Sequence, residues 1–405
     1  MSSASYFFSK LMLAMALAST VSVAPNALAS TPVTAESSAR LEALVVDSLK
    51  FIREQKFDEA LAAINQAIDI NPSFRLAQMI KGDLLLARTR PLDGGFGATS
   101  NAPANTIAGF QHEARVRLSR YEVPPPTDLI PDAFLKLSPE QKYAILVDTS
   151  KARIYLFENV NGKLQYERDY YAVIGKLGAD KYKEGDKRTP LGVYHITRSI
   201  DTKTLPDMYG TGAYPINYPN PLDRKLKRTG YGIWLHGSPS NTYSRPPQDS
   251  DGCVAMTNPD MLDLGKNIQV GVTPVVITSH INWVKKSEHE TLSNDLQKQI
   301  ETWRKDWESK DASRYLKHYA NKFWSDDGST VEKWRDQKTR VNQGKAWIKV
   351  ELNNISILRY PTDQTIIEVK FEQNYQSNNF NEVSKKRQYW VKEGQDWKIL
   401  YEGEA

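Results

Sequence analysis

Tyr143-Ala144-Ile145-Leu146-Val147-Asp148-Thr149-Ser150-Lys151-Ala152-Arg153-Ile154-Tyr155-Leu156-Phe157 decides the architecture of the middle of this chain. Two apolar runs rich in β-branched and aromatic residues flank a four-residue polar turn, a pattern that predicts a β-hairpin. Further strands are predicted at Tyr170 to Ile174, Gly192 to Thr197, Tyr231 to His236 and Pro274 to Thr278, with Gly-, Pro-, Asn- and Asp-rich turns between them. Helical periodicity is confined to a short piece from about Pro259 to Asn267. Residues 141–280 therefore read as an all-β domain with long loops, the kind of scaffold on which function sits in loops.

On the N-terminal side the period changes. Leu41, Leu44, Val45 and Ile52 share one helical face, as do Phe57, Ala60, Leu61, Ile64, Ala67 and Ile68. Asn71-Pro72 ends the second helix, because proline disfavours the α conformation in the residue before it. A third helix starts near Ser73 and carries Leu76, Met79, Ile80 and Leu84. The run from Gln55 to Pro72 resembles a tetratricopeptide repeat, with Phe57, Ala60, Ile64, Ala67 and Pro72 at the expected places. A plain helical hairpin is the alternative. Residues 30–90 are thus a helical segment. Residues 91–140, with a Gly/Ala/Asn/Pro-rich start and the stiff Pro124-Pro125-Pro126, are expected to be a linker.

On the C-terminal side, Leu296, Ile300, Trp303 and Trp307 predict an amphipathic helix, and Tyr315, Tyr319 and Phe323 continue that spacing into a second. Strands follow at Ile348 to Leu352, Ile366 to Phe371, Lys386 to Val391 and Trp397 to Tyr401, the last two joined by Glu393-Gly394-Gln395-Asp396. Residues 291–405 read as an α+β domain of helices and a curved antiparallel sheet.

At the start of the chain, Lys10 precedes the apolar run Leu11 to Ala18, and Ala27-Leu28-Ala29 supplies a small-x-small cleavage site. Residues 1–29 are expected to be a secretory signal peptide, the run being too short to span a membrane; a retained signal anchor is the alternative. The expected location is the periplasm. About 375 residues would remain, enough for two or three domains. The net charge of +5 is mild and its lysines and arginines are dispersed, which argues against a nucleic-acid partner and is compatible with an anionic polymer such as cell wall.

The chain has one cysteine, Cys253, within Ser250-Asp251-Gly252-Cys253-Val254, seventeen residues after His236-Gly237. A lone thiol forms no intrachain disulfide, so packing or chemistry accounts for it; with a histidine elsewhere it is a candidate nucleophile–base pair. A buried, inert thiol is the alternative. His236 is the best base among six histidines, because it ends an apolar strand and leads into a glycine. A tight turn at Gly252 can aim the backbone N–H groups of Gly252 and Cys253 at one point, as an oxyanion hole requires. A backbone carbonyl near Gly237 or Ser238 can orient the imidazole in place of a third side chain. A metal site is not expected, since one cysteine and scattered histidines give no ligand cluster, and no cofactor is expected. Gly94-Gly95-Phe96-Gly97 follows no strand and opens no helix, so it is not a phosphate loop.

At these residues the chain resembles the YkuD-type L,D-transpeptidase family, whose signature is a His-Gly pair, a variable loop, and Ser-His-Gly-Cys. Gly185-Asp186-Lys187-Arg188-Thr189-Pro190-Leu191-Gly192-Val193-Tyr194 resembles the family's Thr-Pro-x-Gly approach, and the opening hairpin matches its first. The resemblance implies cleavage of peptidoglycan stem peptides through a thioester on Cys253, with His236 as base, Gly237 orienting it through its carbonyl, and Gly252 and Cys253 holding the oxyanion. An amine acceptor would give transpeptidation and water carboxypeptidation. Expected substrate-binding residues are Ser250, Ser238, Thr189, Lys187 and Arg188, with Lys176 and Lys183 as further cations. Two positions depart from the family: Asp251 replaces its histidine, placing a carboxylate beside the thiol, and Ala255 replaces an arginine that many members carry. The C-terminal segment, through Trp303, Trp307, Tyr315, Tyr319, Phe371, Tyr375 and Trp397, resembles the cone-shaped nuclear-transport-factor-two type. This pairing resembles a group that includes stem-peptide L,D-carboxypeptidases shaping helical cells. The cone is expected to bind or dimerise, and a homodimer or protein partner through it or the helices is possible on that reading. A non-catalytic wall-binding scaffold is the alternative from another class. A papain-type protease is excluded by residue order, since it would want its nucleophile early and on a helix.

Overall fold

The computed structural model describes residues 34–90, 96–97 and 101–405. The expected signal peptide lies outside these residues. Three helices, α1 (Ala35–Arg53), α2 (Phe57–Ile70) and α3 (Arg75–Ala87), form where the period of 3.6 predicts them. Thr34 caps α1, its hydroxyl accepting from the Ser37 amide at 3.2 Å. A fourth helix, α4 (Ala104–Glu122), occupies much of the stretch expected to be linker. Its inward face carries Glu113 and Arg117 beside Phe110, Ala114 and Val116, so charged residues conceal the apolar stripe. Two further pieces of that stretch form strands. Leu129–Pro131 pairs with Trp283–Lys285, and Phe134–Lys136 joins the C-terminal sheet as its sixth strand.

The central domain is built on a five-stranded sheet. Tyr143–Asp148 pairs antiparallel with Arg153–Val160, as the hairpin predicts, and parallel with Pro274–Thr278. Lys163–Tyr171 and Gly192–His195 form its edges. Strand Tyr143–Asp148 is covered on both faces, because alternate side chains point to opposite sides. Ile145 and Val147 pack into a core with Leu235, Val254 and Met261. Ala144 and Leu146 pack into a second core with Leu358, Tyr360, Tyr389 and Val391 of the C-terminal domain. The short helix Asn258–Gly265 appears close to its expected place.

The C-terminal domain opens with the long helix Lys286–Glu308, then the short Ala312–Leu316. Tyr319 and Phe323, expected on a helix, lie on the strand Tyr319–Ser325. A spacing of four suits a helix face and equally one side of a strand, and here pairing with Asp396–Glu404 decides. Helix Val331–Gln343 was not foreseen; only Val331, Trp334 and Asn342 of it are buried, so its apolar stripe is thin. Long strands Ile348–Arg359, Ile366–Ser377, Asn381–Glu393 and Asp396–Glu404 complete the cone around an aromatic core of Trp303, Trp307, Tyr315, Phe371 and Trp390.

A buried polar junction ties the cone to the central sheet. His195 Nε2 and Glu368 Oε1 are 2.8 Å apart, and Arg387 Nε lies 3.3 Å from Glu368 Oε2, an ion pair without hydrogen-bond alignment. Burial pushes the His195 imidazole down to about 4, and the Arg387 charge, with His195, holds Glu368 below the usual carboxylate range against its own burial. Asn220 adds a bond of 2.7 Å to the Tyr360 hydroxyl. Removing one member of a buried pair leaves the other desolvated and unpaired, so Glu368→Ala should lower unfolding free energy by about 3–5 kcal/mol in urea titration. A change below about 1 kcal/mol would mean the junction contributes no more than a surface pair does.

Candidate active site

Strand Trp234–His236 lies between Ala213–Pro215, antiparallel to it, and Val254–Ala255, parallel to it. Leu235 is level with Val254 and His236 with Ala255. Leu235 and Val254 point into the core. Cys253 stands in the bend that opens the strand, just before Val254 and two residues from His236 in register, so by alternation both side chains lie off the core face. Tyr209 covers the His236 side, its ring 4.7 Å from that of Trp234 and 5.2 Å from that of His236.

His236 is buried, and its Nδ1 is 2.7 Å from the Gly237 carbonyl. A carbonyl only accepts, so Nδ1 carries the proton and Nε2 presents its lone pair. The expectation that Gly237 orients the base through its carbonyl matches this contact. Glycine is required there for space, since a Cβ would stand 2.3 Å from Asn258 Oδ1 and 2.9 Å from the Thr211 amide. Burial pushes the imidazole down to about 4; the Gly237 bond works against that shift and the Arg245 charge adds to it.

The Cys253 thiol is half-buried and donates to the Gly232 carbonyl at 3.4 Å. It makes no hydrogen bond to His236. Burial pushes the thiol up to about 11, the Trp234 amide draws it down, and the Asp251 carboxylate raises it, as expected of a charge beside a thiol. Burial thus favours the neutral form of both groups, a thiol and an imidazole.

The turn before the cysteine corrects one expectation. The Gly252 amide donates to Ser250 Oγ at 3.1 Å, so it is already engaged and does not point into an oxyanion site. The Cys253 amide has no hydrogen bond among the described residues, which leaves it as the available donor. Gly252 has φ +125°, and a Cβ there would meet the Arg188 carbonyl at 2.8 Å.

The expected substrate-binding hydroxyls are also engaged within the protein. Ser250 Oγ donates to the Cys253 carbonyl at 2.6 Å, Ser238 Oγ to Met256 O at 2.8 Å, and Thr189 Oγ1 to Gly252 O at 3.0 Å. All three side chains are buried and act as struts of the site. Arg188 is half-buried and donates to the Ala179 carbonyl at 2.9 Å, whereas Lys187 is exposed. Lys176 lies 3.4 Å from Asp251, so the departure at Asp251 carries its own counter-charge.

Three residues escaped the sequence reading. Tyr209 packs on the base. Asn258 Oδ1 accepts from the amides of Thr211 and Ser238 at 3.1 and 3.0 Å, tying the chain after Gly237 to the segment at Thr211. Arg245 stands in the loop between base and nucleophile, its Nε 2.9 Å from Asp249 Oδ2. None has a local pattern that would reveal it, since each reaches the site through the fold.

Residues 142–277 match the model of the L,D-transpeptidase catalytic domain named YkuD, and residues 295–403 match that of the Cds6 C-terminal NTF2-like domain. The structure of Bd1075 from Bdellovibrio bacteriovorus is 33% identical, with 69% of this chain and 98% of that chain covered and a TM-score of 0.61. The chain belongs to the YkuD L,D-transpeptidase family. The structure of Pgp2 from Campylobacter jejuni, a helical cell shape determining protein, is 25% identical over 67% of this chain and 95% of that one, with a TM-score of 0.57. Comparison with curated protein sequences gives no match. The YkuD match begins at the opening hairpin and ends on strand Pro274–Thr278, so it takes in every site residue named above.

If this YkuD site rests as a neutral thiol and imidazole, alkylation by iodoacetamide should be slow at pH 7 and still climbing above pH 9, because only thiolate reacts. A rate already level by pH 7 would reveal a preformed thiolate and contradict the neutral pair.

Proposed function

We propose that the chain is a peptidoglycan stem-peptide L,D-transpeptidase that carries its acyl group as a thioester on Cys253. The observation that carries this reading is that Cys253 opens the strand paired beside that of His236, two residues away in register, with the imidazole fixed by Gly237 so that Nε2 holds the lone pair. His236 Nε2 accepts the proton from sulfur as sulfur attacks the carbonyl carbon of the donor peptide bond. The Cys253 amide stabilises the oxyanion. His236 then protonates the departing amine of the terminal residue, the C–N bond breaks and the thioester remains. An acceptor amine attacks the thioester, passes its proton through His236 to the sulfur, and leaves as the new amide. No group beyond this chain and its two substrates is needed to balance the steps.

Asp251 favours an amine over water as acceptor. Its side chain is exposed two residues before the thiol, and because its 3.4 Å pairing with Lys176 is itself open to solvent, the carboxylate can still attract an ammonium group before that group loses its proton. With water in that role the same thioester gives L,D-carboxypeptidation, a reading favoured by the likeness to Pgp2, a protein that determines cell shape. The proposal includes export to the periplasm on the strength of Lys10, Leu11 to Ala18 and Ala27-Leu28-Ala29.

Purified protein incubated with tetrapeptide-stem muropeptides should yield cross-linked products by mass spectrometry. Loss of the terminal residue alone would assign the carboxypeptidase. His236→Ala should reduce turnover by about 10²–10⁴-fold with an unchanged melting temperature, and Cys253→Ala should abolish it. Equal turnover in Cys253→Ala and wild type would remove the thioester from the account.

A further inference from the structure

The helical segment does more than sit beside the catalytic domain. It grips the loop from Pro239 to Asp249, which joins the base to the nucleophile. Tyr243 of that loop is buried in the core of the helical segment, its ring 4.8 Å from Phe74 and its hydroxyl 2.8 Å from Ser38 Oγ. Ser244, also buried, donates to Glu113 Oε1 at 2.6 Å and accepts from Arg117 Nη2 at 2.8 Å. Arg117 is paired with Glu113 at 3.0 Å and Glu42 at 3.3 Å, and it lies 3.9 Å over the ring of Tyr171. The Tyr171 hydroxyl in turn donates to the Arg245 carbonyl at 2.8 Å. Pro246 is packed so closely on α4 that a Cβ at Gly109 would meet its ring at 3.0 Å.

The loop's own share of these contacts falls on residues 243–246, with Arg245 among them. Its Nε and Nη2 are engaged by Asp249, and its Nη1 makes no hydrogen bond among the described residues. The Tyr171 side chain that holds the Arg245 carbonyl packs in one buried cluster with Ala255, which is level with His236, so Arg245 is anchored one side chain away from the strand pair of the site; in keeping with that place, its charge favours the Cys253 thiolate and disfavours the His236 imidazolium. Ala255 offers no cation of its own. A buried ion pair of the Glu113–Arg117 kind is a poor source of stability but a good source of fixed geometry.

We propose that α1, α3 and α4 are a positioning element of the active site: through Ser244 and Tyr243, the buried Glu113–Arg117 pair and the helical core fix the loop that holds Arg245, and Arg245 is the cation that meets the carboxylate of an anionic acyl donor. Glu113, Arg117, Ser244 and Tyr243 act through Arg245 and touch no substrate. The identity of the donor as a peptide rests on the function proposed above, but the placement of the cation does not.

Two alkylating probes separate the two. Iodoacetate and iodoacetamide react with the same thiolate, so the ratio of their rates at Cys253 cancels any change in thiol acidity and reports the local field. Arg245→Gln should lower the iodoacetate-to-iodoacetamide ratio by about three- to tenfold, the size expected of one partly screened charge. Ser244→Ala and Glu113→Gln should lower it by a similar factor, and Ser244→Ala combined with Arg245→Gln should fall no further than Arg245→Gln alone. A merely structural loop contact would shift the melting temperature and leave the ratio untouched. An unchanged ratio in Arg245→Gln overturns the cation. A lowered ratio in Arg245→Gln with a wild-type ratio in both Ser244→Ala and Glu113→Gln overturns the positioning role of the helices. On muropeptides, the same variants should raise KM with a smaller effect on kcat. Absence of turnover in wild type with the ratio changes intact would sink the peptide substrate and spare the clamp.

Discussion

The hydrogen bond from His236 Nδ1 to the Gly237 carbonyl is the constraint on which the site depends. It replaces the acidic partner that a base usually has, and a neutral carbonyl orients without supplying charge. The imidazole is therefore fixed in one tautomer but not made more basic, and burial holds it down to about 4. The thiol beside it is raised for the same reason. Burial therefore favours the neutral form of both groups, a thiol and an imidazole, in the free protein.

Much of the surrounding sequence exists to keep those two groups in register. Gly237 leaves room for Asn258, which accepts from the Ser238 amide beside it and from the Thr211 amide packed against it. Ser250 and Thr189 lock the cysteine turn to the Gly185 to Gly192 approach. On the far side of the sheet the cone covers Leu146 and Tyr155, so the catalytic sheet is a middle layer with no solvent face there. The helices hold the remaining loop. The three segments of the sequence converge on the same few strands, and none is an ornament hung on a linker.

The opening hairpin was legible, and His236 and Cys253 could be singled out as candidates, because their signals are local: two alternating runs around a polar turn, a His-Gly pair at a strand end, a unique cysteine. Other features were not. Glu113 and Arg117 point inward among Phe110, Ala114 and Val116, so the apolar stripe of α4 is interrupted by charge. Tyr315, Tyr319 and Phe323 recur every four residues, a spacing that is even and thus also fits a strand. Ser250, Ser238 and Thr189 read as substrate ligands because residue identity does not say where a hydroxyl points; the fold turns all three onto backbone carbonyls. Tyr209 and Arg245 join the site only through tertiary structure, and no spacing announces them.

The most direct measurement is a nitrogen-15 NMR titration of His236 in the free protein. The account requires the proton on Nδ1, a lone pair on Nε2, and a ring that stays neutral until the pH falls to about 4. A ring found with its proton on Nε2, or one that gains a second proton near pH 6.5 as an exposed histidine does, would contradict it.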